Sequence, residues 1–323
     1  MKTSRRAALA LAAASLLAAT VAQAETWPAR PIRLVVPFPA GGGTDIIARE
    51  LTNKLTSYGY NFVVDNKPGS GGNLGVDAAA KAAPDGYTLV LGQTSNLAIN
   101  PTLYTKLPYD PLKDLTPISL VATSPLVIVA GTATPYKTLG EVVKAAKAKP
   151  DSINYASSGN GTVAHLAMES FQKAAGVKLT HIPYKGAAQG VTDVISGQVQ
   201  LYVSSVPTLL PHIKSGKMHA LALTSLQRTQ DLPQVPTVAE SGYKGFEAIT
   251  WFGILGPAGM PKEIVAKLNA DINKALQDSA LKQKLSGQGA DVQGSSAADF
   301  AKLIRDDIPR WGKLVKDSGA KVD

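Results

Sequence analysis

Seven short β-branched runs, each closed by Gly, Pro, Asn or Asp, are separated by stretches whose apolar residues recur at helical spacing. The runs are 32–36, 62–65, 87–91, 153–156, 179–184, 199–203 and 221–224, and their composition predicts strands. Between them Ile47, Leu51 and Leu55 recur every four residues, as do Val163, Ala167 and Phe171, while Val191, Val194 and Ile195 form a third stripe. Strand and amphipathic helix in alternation leave few solutions: parallel sheets whose crossover helices cover both faces, an α/β architecture.

Two segments break the rhythm. "TPISLVATSPLVIVAG" (116–131) and "FEAITWFGILGPAG" (246–259) are extended and apolar, and no helix follows at once. Each suits a strand crossing between two lobes. The expected division is therefore a first lobe of 25–122 and 248–323, with 123–247 inserted as a second. After the second crossing the pattern is helical, with Pro261 at a helix start and Ile264, Leu268, Ile272 and Leu276 four residues apart. A last helix carries Phe300, Ile304, Ile308 and Trp311.

The first 24 residues stand outside this scheme. Lys2, Arg5 and Arg6 precede an apolar run from Ala7 to Val21, and Ala22-Gln23-Ala24 has the small-x-small form read by signal peptidase. The run is shorter than the roughly 20 residues that a membrane span needs, so export with cleavage near Ala24 is expected, into a periplasm. Zero cysteines exclude disulfides, thiolate metal sites and a lipid-modified N-terminal cysteine. Three of the nine surplus positive charges sit in the leader, and the rest are scattered among acids without a basic stripe, so no nucleic acid partner is expected.

Chemistry concentrates in loops that join strand to helix. In "VVPFPAGGGTDIIARE" (35–50), Gly41, Gly42 and Gly43 follow a strand, Thr44 stands at an N-cap and Asp45 lies in the first turn. A helix start of this kind turns backbone N–H groups outward in the field of about half a positive charge, which suits an anion. The competing reading is a tight turn that needs positive φ. "NYASSGNGTVAHLAMESF" (154–171) repeats the arrangement in the other lobe, with Ser157, Ser158, Gly159, Asn160 and Gly161 before Thr162. Two opposed amide cradles result. A third loop, "IPYKGAAQ" (182–189), enters its helix at Gly186.

Other chemistries find less support. Gly159 to Ala164 fits a relaxed G-x-G-x-x-A, but the next strand, "VKLTHIPY", ends without the acid that a dinucleotide site requires. No G-x-S-x-G occurs; a couple of Ser157 or Ser158 with His165, as in a secreted serine hydrolase, stays open. His165, placed with Met168 and Gln172 off the apolar stripe, reads better as a polar contact at the cleft edge. The four histidines lack metal-ligand spacing, and neither metal nor cofactor is expected. Phe38, Tyr184 and Trp251 are candidates to stack on a ring or cover an acyl chain at the lobe junction.

"WPARPIRLVVPFPAGGGTD", "NKPGSGGNLG", "AAPDGYTLVLG", "SSGNGTVAHLA", "IPYKGAAQ", "GKMHALALTS" and "FGILGPAGMPKEIVAKLNADINKAL" stand in this order over essentially the whole mature chain. They resemble the Bug proteins, the TctC-like binding components of tripartite tricarboxylate transporters. The resemblance implies a type II periplasmic binding fold closing on a small organic carboxylate, with a mixed, mostly parallel sheet in each of two lobes. It also implies delivery, as a monomer, to TctA/TctB-like membrane subunits; a ligand-sensing role beside a membrane receptor fits the same residues. Carried over, it puts contacts at Phe38, Pro39, Gly42, Gly43, Thr44 and Asp45, at Ser157, Gly159, Asn160, Gly161 and Thr162, and at Thr94 and Asn96. Members that bind amino acids tend to carry an acid where this chain has Ser204. An ammonium group there would lack a counter-charge, which points to an acid without an α-amino group, a di- or tricarboxylate or an aromatic acid.

Overall fold

The computed structural model describes residues 27–322. The chain runs β1 (Ile32–Val36), α1 (Gly43–Thr56), β2 (Phe62–Asn66), α2 (Asn73–Ala80), β3 (Thr88–Gln93), α3 (Asn100–Leu103) and β4 (Leu115–Gly131). It continues through α4 (Leu139–Ala148), β5 (Asn154–Ser157), α5 (Val163–Ala175), β6 (Thr180–Pro183), α6 (Ala187–Ile195), β7 (Leu201–Ser205), α7 (Val206–Lys214) and β8 (Met218–Leu223). β9 (Ile249–Pro257), α8 (Lys262–Gln277), α9 (Ser279–Ser286), β10 (Asp291–Val292) and α10 (Ala297–Ser318) complete it. A π-helical turn, Ser95–Ile99, joins β3 to α3. Every element lies in the compact unit that begins at Pro31. The export signal expected over 1–24 falls outside the described residues, among which no helix is long and apolar enough to cross a membrane.

The strands form one path, β2-β1-β3-β9-β4-β7-β5-β6, and β4 is the member common to two halves. Over Leu115 to Pro125 it pairs antiparallel with β9; over Leu126 to Gly131 it pairs antiparallel with β7 and β8. Outward from these strands the pairing is parallel, β1 with β2 and β3, and β5 with β6 and β7. The two apolar segments that broke the rhythm are thus the long strands β4 and β9, paired along nine registered positions. The fold is the two-lobed, mixed α/β arrangement, with flanking helices.

Parallel strands covered on both faces need apolar residues at successive positions. β1 supplies Ile32, Leu34, Val35 and Val36, all buried. α1 buries the predicted Ile47, Leu51 and Leu55. α5 buries more than its predicted stripe: Val163, Ala167 and Phe171 are joined by His165, Met168 and Gln172. The polar side of that helix faces packed protein, with His165 stacked on His181 and Gln172 Oε1 accepting from Leu179 N–H at 2.6 Å.

Candidate functional site

The first glycine loop uses its glycines for different reasons. Gly41 alone of the three takes a positive φ, +81°. Gly42 is the N-cap of α1 in extended conformation, and no side chain caps the helix. Gly43 sits close to the opposite wall, since a Cβ there would lie 2.4 Å from Ser205 Oγ across the cleft and would push that hydroxyl aside. Gly41 N–H donates to Asp45 Oδ2 at 2.9 Å, and the same carboxylate accepts from Arg49 Nε and Asn66 Nδ2. Burial raises the Asp45 pKa, but the bonds from Arg49, Gly41 and Asn66 outweigh it and hold the group below its ordinary value. Asp45 therefore braces the loop from behind.

The second loop is built on Thr162, the N-cap of α5, whose Oγ1 accepts from His165 N–H at 3.3 Å and donates to Gly159 O at 2.8 Å. Gly159 and Gly161 have φ of +130° and +77°, which only glycine adopts at little cost. Gly161 also lies so close to Asn100 that a Cβ would be 2.6 Å from its Oδ1.

The two loops face one cleft. Phe38, Pro39, Gly42, Gly43 and Thr44 line it from the first loop, and Ser158, Thr162, Val163 and Ala164 from the second. Gly186 and Ala187 at the start of α6, and Ser204, Ser205 and Thr208 around the start of α7, close another side. Four helix N-termini thus meet a space in which no lining residue is charged. Their partial charges make it attractive to an anion without a cationic side chain.

Contacts across the cleft join the loops directly. Gly43 N–H donates to Thr208 Oγ1 at 2.9 Å, and Val163 N–H donates to Ser95 Oγ at 3.2 Å. Each helix start is met by a hydroxyl from the opposite wall. Thr44 and Asp45 N–H of α1 and Ala164 N–H of α5 have no acceptor among the described residues.

Of the residues expected from the sequence, Phe38, Pro39, Gly42, Gly43, Thr44, Thr162 and Ser204 line this cleft. Gly159, Asn160 and Tyr184 line an adjoining outer cavity that shares Phe38, Pro39 and Ser158 with it. Tyr184 Oη donates to Asp193 at 2.6 Å. Seven are placed elsewhere. Asp45 faces Arg49; Thr94 Oγ1 accepts from Trp251 N–H; Asn96 Oδ1 accepts from Gln93 N–H. Ser157 is fully buried against His181, and Gly161 meets Asn100. His165 is 6% exposed, with its ring stacked on His181 at 4.3 Å, so it is not a polar contact at the cleft edge. Trp251 is core: its Nε1 donates to Asp307 at 2.7 Å and its ring meets Phe300 edge-on.

The polar cleft residues that sequence reasoning missed are Gln93, Ser95, Ser205, Thr208 and Thr250, and the apolar one is Leu126. The hydroxyl-rich joint "SSVPT" after β7 was a usable signal, being a fourth strand-to-helix junction. Gln93 and Ser95 flank the expected Thr94, and the π-helical turn decides which of the three reaches the cleft.

The serine–histidine couple takes another form than the one left open. Ser157 Oγ lies 2.6 Å from His181 Nε2, while His165 Nδ1 accepts from Gly161 N–H. Ser157 Oγ also accepts from Gly159 N–H, and no carboxylate orients either ring among the described residues. A fully buried, doubly engaged hydroxyl is no nucleophile. Burial depresses His165 to a pKa of about 4; burial, aided by His165, depresses His181 to about 3. An unfolded histidine titrates near 6.5, so below that pH the unfolded chain takes up protons that the native state refuses. The contribution is fully present above pH ~6.5 and is lost as pH falls toward the native pKa values. The unfolding free energy from urea titrations should fall by about 2 to 3 kcal/mol between pH 7 and 5.5. A His165→Gln/His181→Gln variant should show a flatter profile; equal slopes would refute this assignment.

Comparison with known proteins places the chain in a family. A family model described as the tripartite tricarboxylate transporter family receptor, TctC, matches residues 47–320. Protein BugT of Bordetella pertussis is 41% identical over 301 residues, 93% of this chain and 92% of that protein. Among solved structures, an R. palustris protein with adipate superposes at TM-score 0.89 with 35% identity, covering 92% of this chain and 100% of the other. MatC from Rhodopseudomonas palustris with bound malate does so at 0.84 with 33% identity, over 90% and 100%. The chain accordingly belongs to the TctC receptor family that includes the Bug proteins, and it is a periplasmic solute-binding protein, not an enzyme.

Proposed function

We propose that the protein captures a small organic carboxylate between its two glycine loops and delivers it to a tripartite tricarboxylate-type membrane transporter. The observation that carries this is the convergence of opposed helix starts on one cleft without charged side chains. The adipate and malate held by relatives favour a dicarboxylate among the acids. A carboxylate takes amide hydrogen bonds worth roughly 1.5 to 3 kcal/mol each, which suits the first turns of α1 and α5. Lobe closure would follow the division 25–122 with 248–323 against 123–247, with β4 and β9 as the connection. Export with cleavage near Ala24 belongs to the same proposal.

Ser204 and its neighbours offer no anion to an ammonium group, so α-amino acids are expected to be excluded. In a thermal-shift and calorimetric screen, plain di- and tricarboxylates should raise Tm, and aspartate and glutamate should not. A ligand at 100 times its Kd stabilises the native state by about 2.7 kcal/mol, an ample signal. Tight binding of aspartate with none of plain acids would overturn the assignment.

A further inference from the structure

Behind the second glycine loop three rings form a stack. Tyr155 of β5 and His181 of β6 are partners in register, with rings 4.8 Å apart, and His165 in the first turn of α5 stacks on the same imidazole at 4.3 Å. Tyr155 is fully buried, and its Oη donates to Glu169 Oε1 at 2.9 Å, one turn along α5 from His165. The stack thus ties α5 to the two strands that lead into the second and third loops.

Its nitrogens reach the loop. His165 Nδ1 accepts from Gly161 N–H at 3.4 Å, and His181 Nε2 lies 2.6 Å from Ser157 Oγ, which accepts from Gly159 N–H at 3.2 Å. Gly159 and Gly161 are the loop's two residues at positive φ, and each has its amide tied to this assembly. On the carbonyl side Thr162 does the holding, since its Oγ1 and its N–H both donate to Gly159 O. Ser158 and Asn160 N–H, the alternate pair, have no acceptor among the described residues. Ser158 lines the cleft and Asn160 the outer cavity. Neither histidine lines the cleft. Apolar side chains would fill the same space without hiding ring nitrogens from water, so what the histidines add is a polar atom at the loop. A loop ordered in advance spares the solute the entropy of ordering it, and affinity rises by that amount.

We propose that His165 and His181 are positioning residues for solute capture: directly and through Ser157, they hold the amides of Gly161 and Gly159 toward the interior, which keeps Ser158 and the start of α5 in the shape that receives a carboxylate. This rests on the carboxylate-capture reading above. The two rings use different nitrogens, which sets the test. Asparagine carries its amide where Nδ1 of histidine stands, and glutamine carries it where Nε2 stands. Calorimetry with di- and tricarboxylates from malonate to citrate finds the acid that the wild type binds most tightly, and the variants are compared on that acid. His165→Leu and His181→Leu should each weaken binding about 10-fold, because a loop group loses its partner. His165→Asn and His181→Gln should stay within about 3-fold of wild type, while the exchanged amides, His165→Gln and His181→Asn, should weaken binding as leucine does. A role in stability alone would shift Tm and leave affinity unchanged. Leucine variants that bind like the wild type, or matched and exchanged amides of equal affinity, would overturn the positioning role and leave carboxylate capture standing. If the leucine variants do not fold, the four amide variants decide the matter alone. A wild type that binds none of the acids would overturn both.

Discussion

Gly186→Ala should abolish tight carboxylate binding while leaving the fold intact. Gly186 has φ 173°, extended backbone that alanine adopts without strain. The obstacle is across the cleft: a Cβ at 186 would lie 2.4 Å from Pro39 Cγ, with Pro39 Cβ and Cδ within 3.2 Å. A proline ring cannot rotate aside, so the first and third loops must stay about an ångström further apart. Pro39 belongs to the first loop, so the shift carries the α1 amides away from those of α5. Hydrogen bonds weaken steeply outside their normal range, and a carboxylate held between the two glycine loops would lose one side of its grip. Two charge-assisted bonds at roughly 1.5 to 3 kcal/mol each correspond to a loss of at least about 100-fold in affinity. The ligand-free Tm should move by no more than about 2 °C, since the change lies at a helix N-cap. Calorimetry on the purified variant checks this, and wild-type affinity would show that binding does not require these loops to meet.

Trp251→Ala should have the opposite signature, a large loss of stability with no specific effect on affinity. The side chain is 4% exposed, stacks edge-on with Phe300 at 5.7 Å, and donates to Asp307, which also accepts from Trp311 Nε1 at 3.2 Å. Truncating a buried tryptophan costs about 3 to 5 kcal/mol. For a chain of this length that lowers Tm by roughly 10 °C, at about 2 to 4 °C per kcal/mol. Below its transition the variant should bind within about 3-fold of wild type. Lost binding with an undisturbed Tm would return Trp251 to the cleft.

Much of this was legible in the sequence because main-chain patterns carry it. β1 was read to its ends from four β-branched or apolar residues around Arg33, and the two crossing strands were visible as apolar segments without a following helix. The two-residue β10, whose pairing with Ala122 and Thr123 depends on where α9 delivers the chain, had no local signal. Within the site the glycine loops were readable, since each glycine serves a backbone turn or a close approach. What failed was side-chain direction. Thr94, Asn96, His165 and Trp251 lie next to cleft residues in sequence, but a strand points neighbours to opposite faces and a π turn shifts the phase again. Gln93 and Thr250 were hidden for the same reason, as strand ends whose meeting is set by register between segments more than 150 residues apart.

The hydroxyls of Thr208 and Ser95 turn recognition into an exchange reaction. A solute that takes the amides of Gly43 and Val163 must first release them from these acceptors. A neutral oxygen trades one hydrogen bond of about 1 kcal/mol for another like it and gains nothing. A carboxylate oxygen forms a bond roughly twice as strong and keeps the difference. Discrimination by charge then arises with no cationic side chain in the cleft, and alcohols or amides of matching shape are turned away by competition from the protein's own groups.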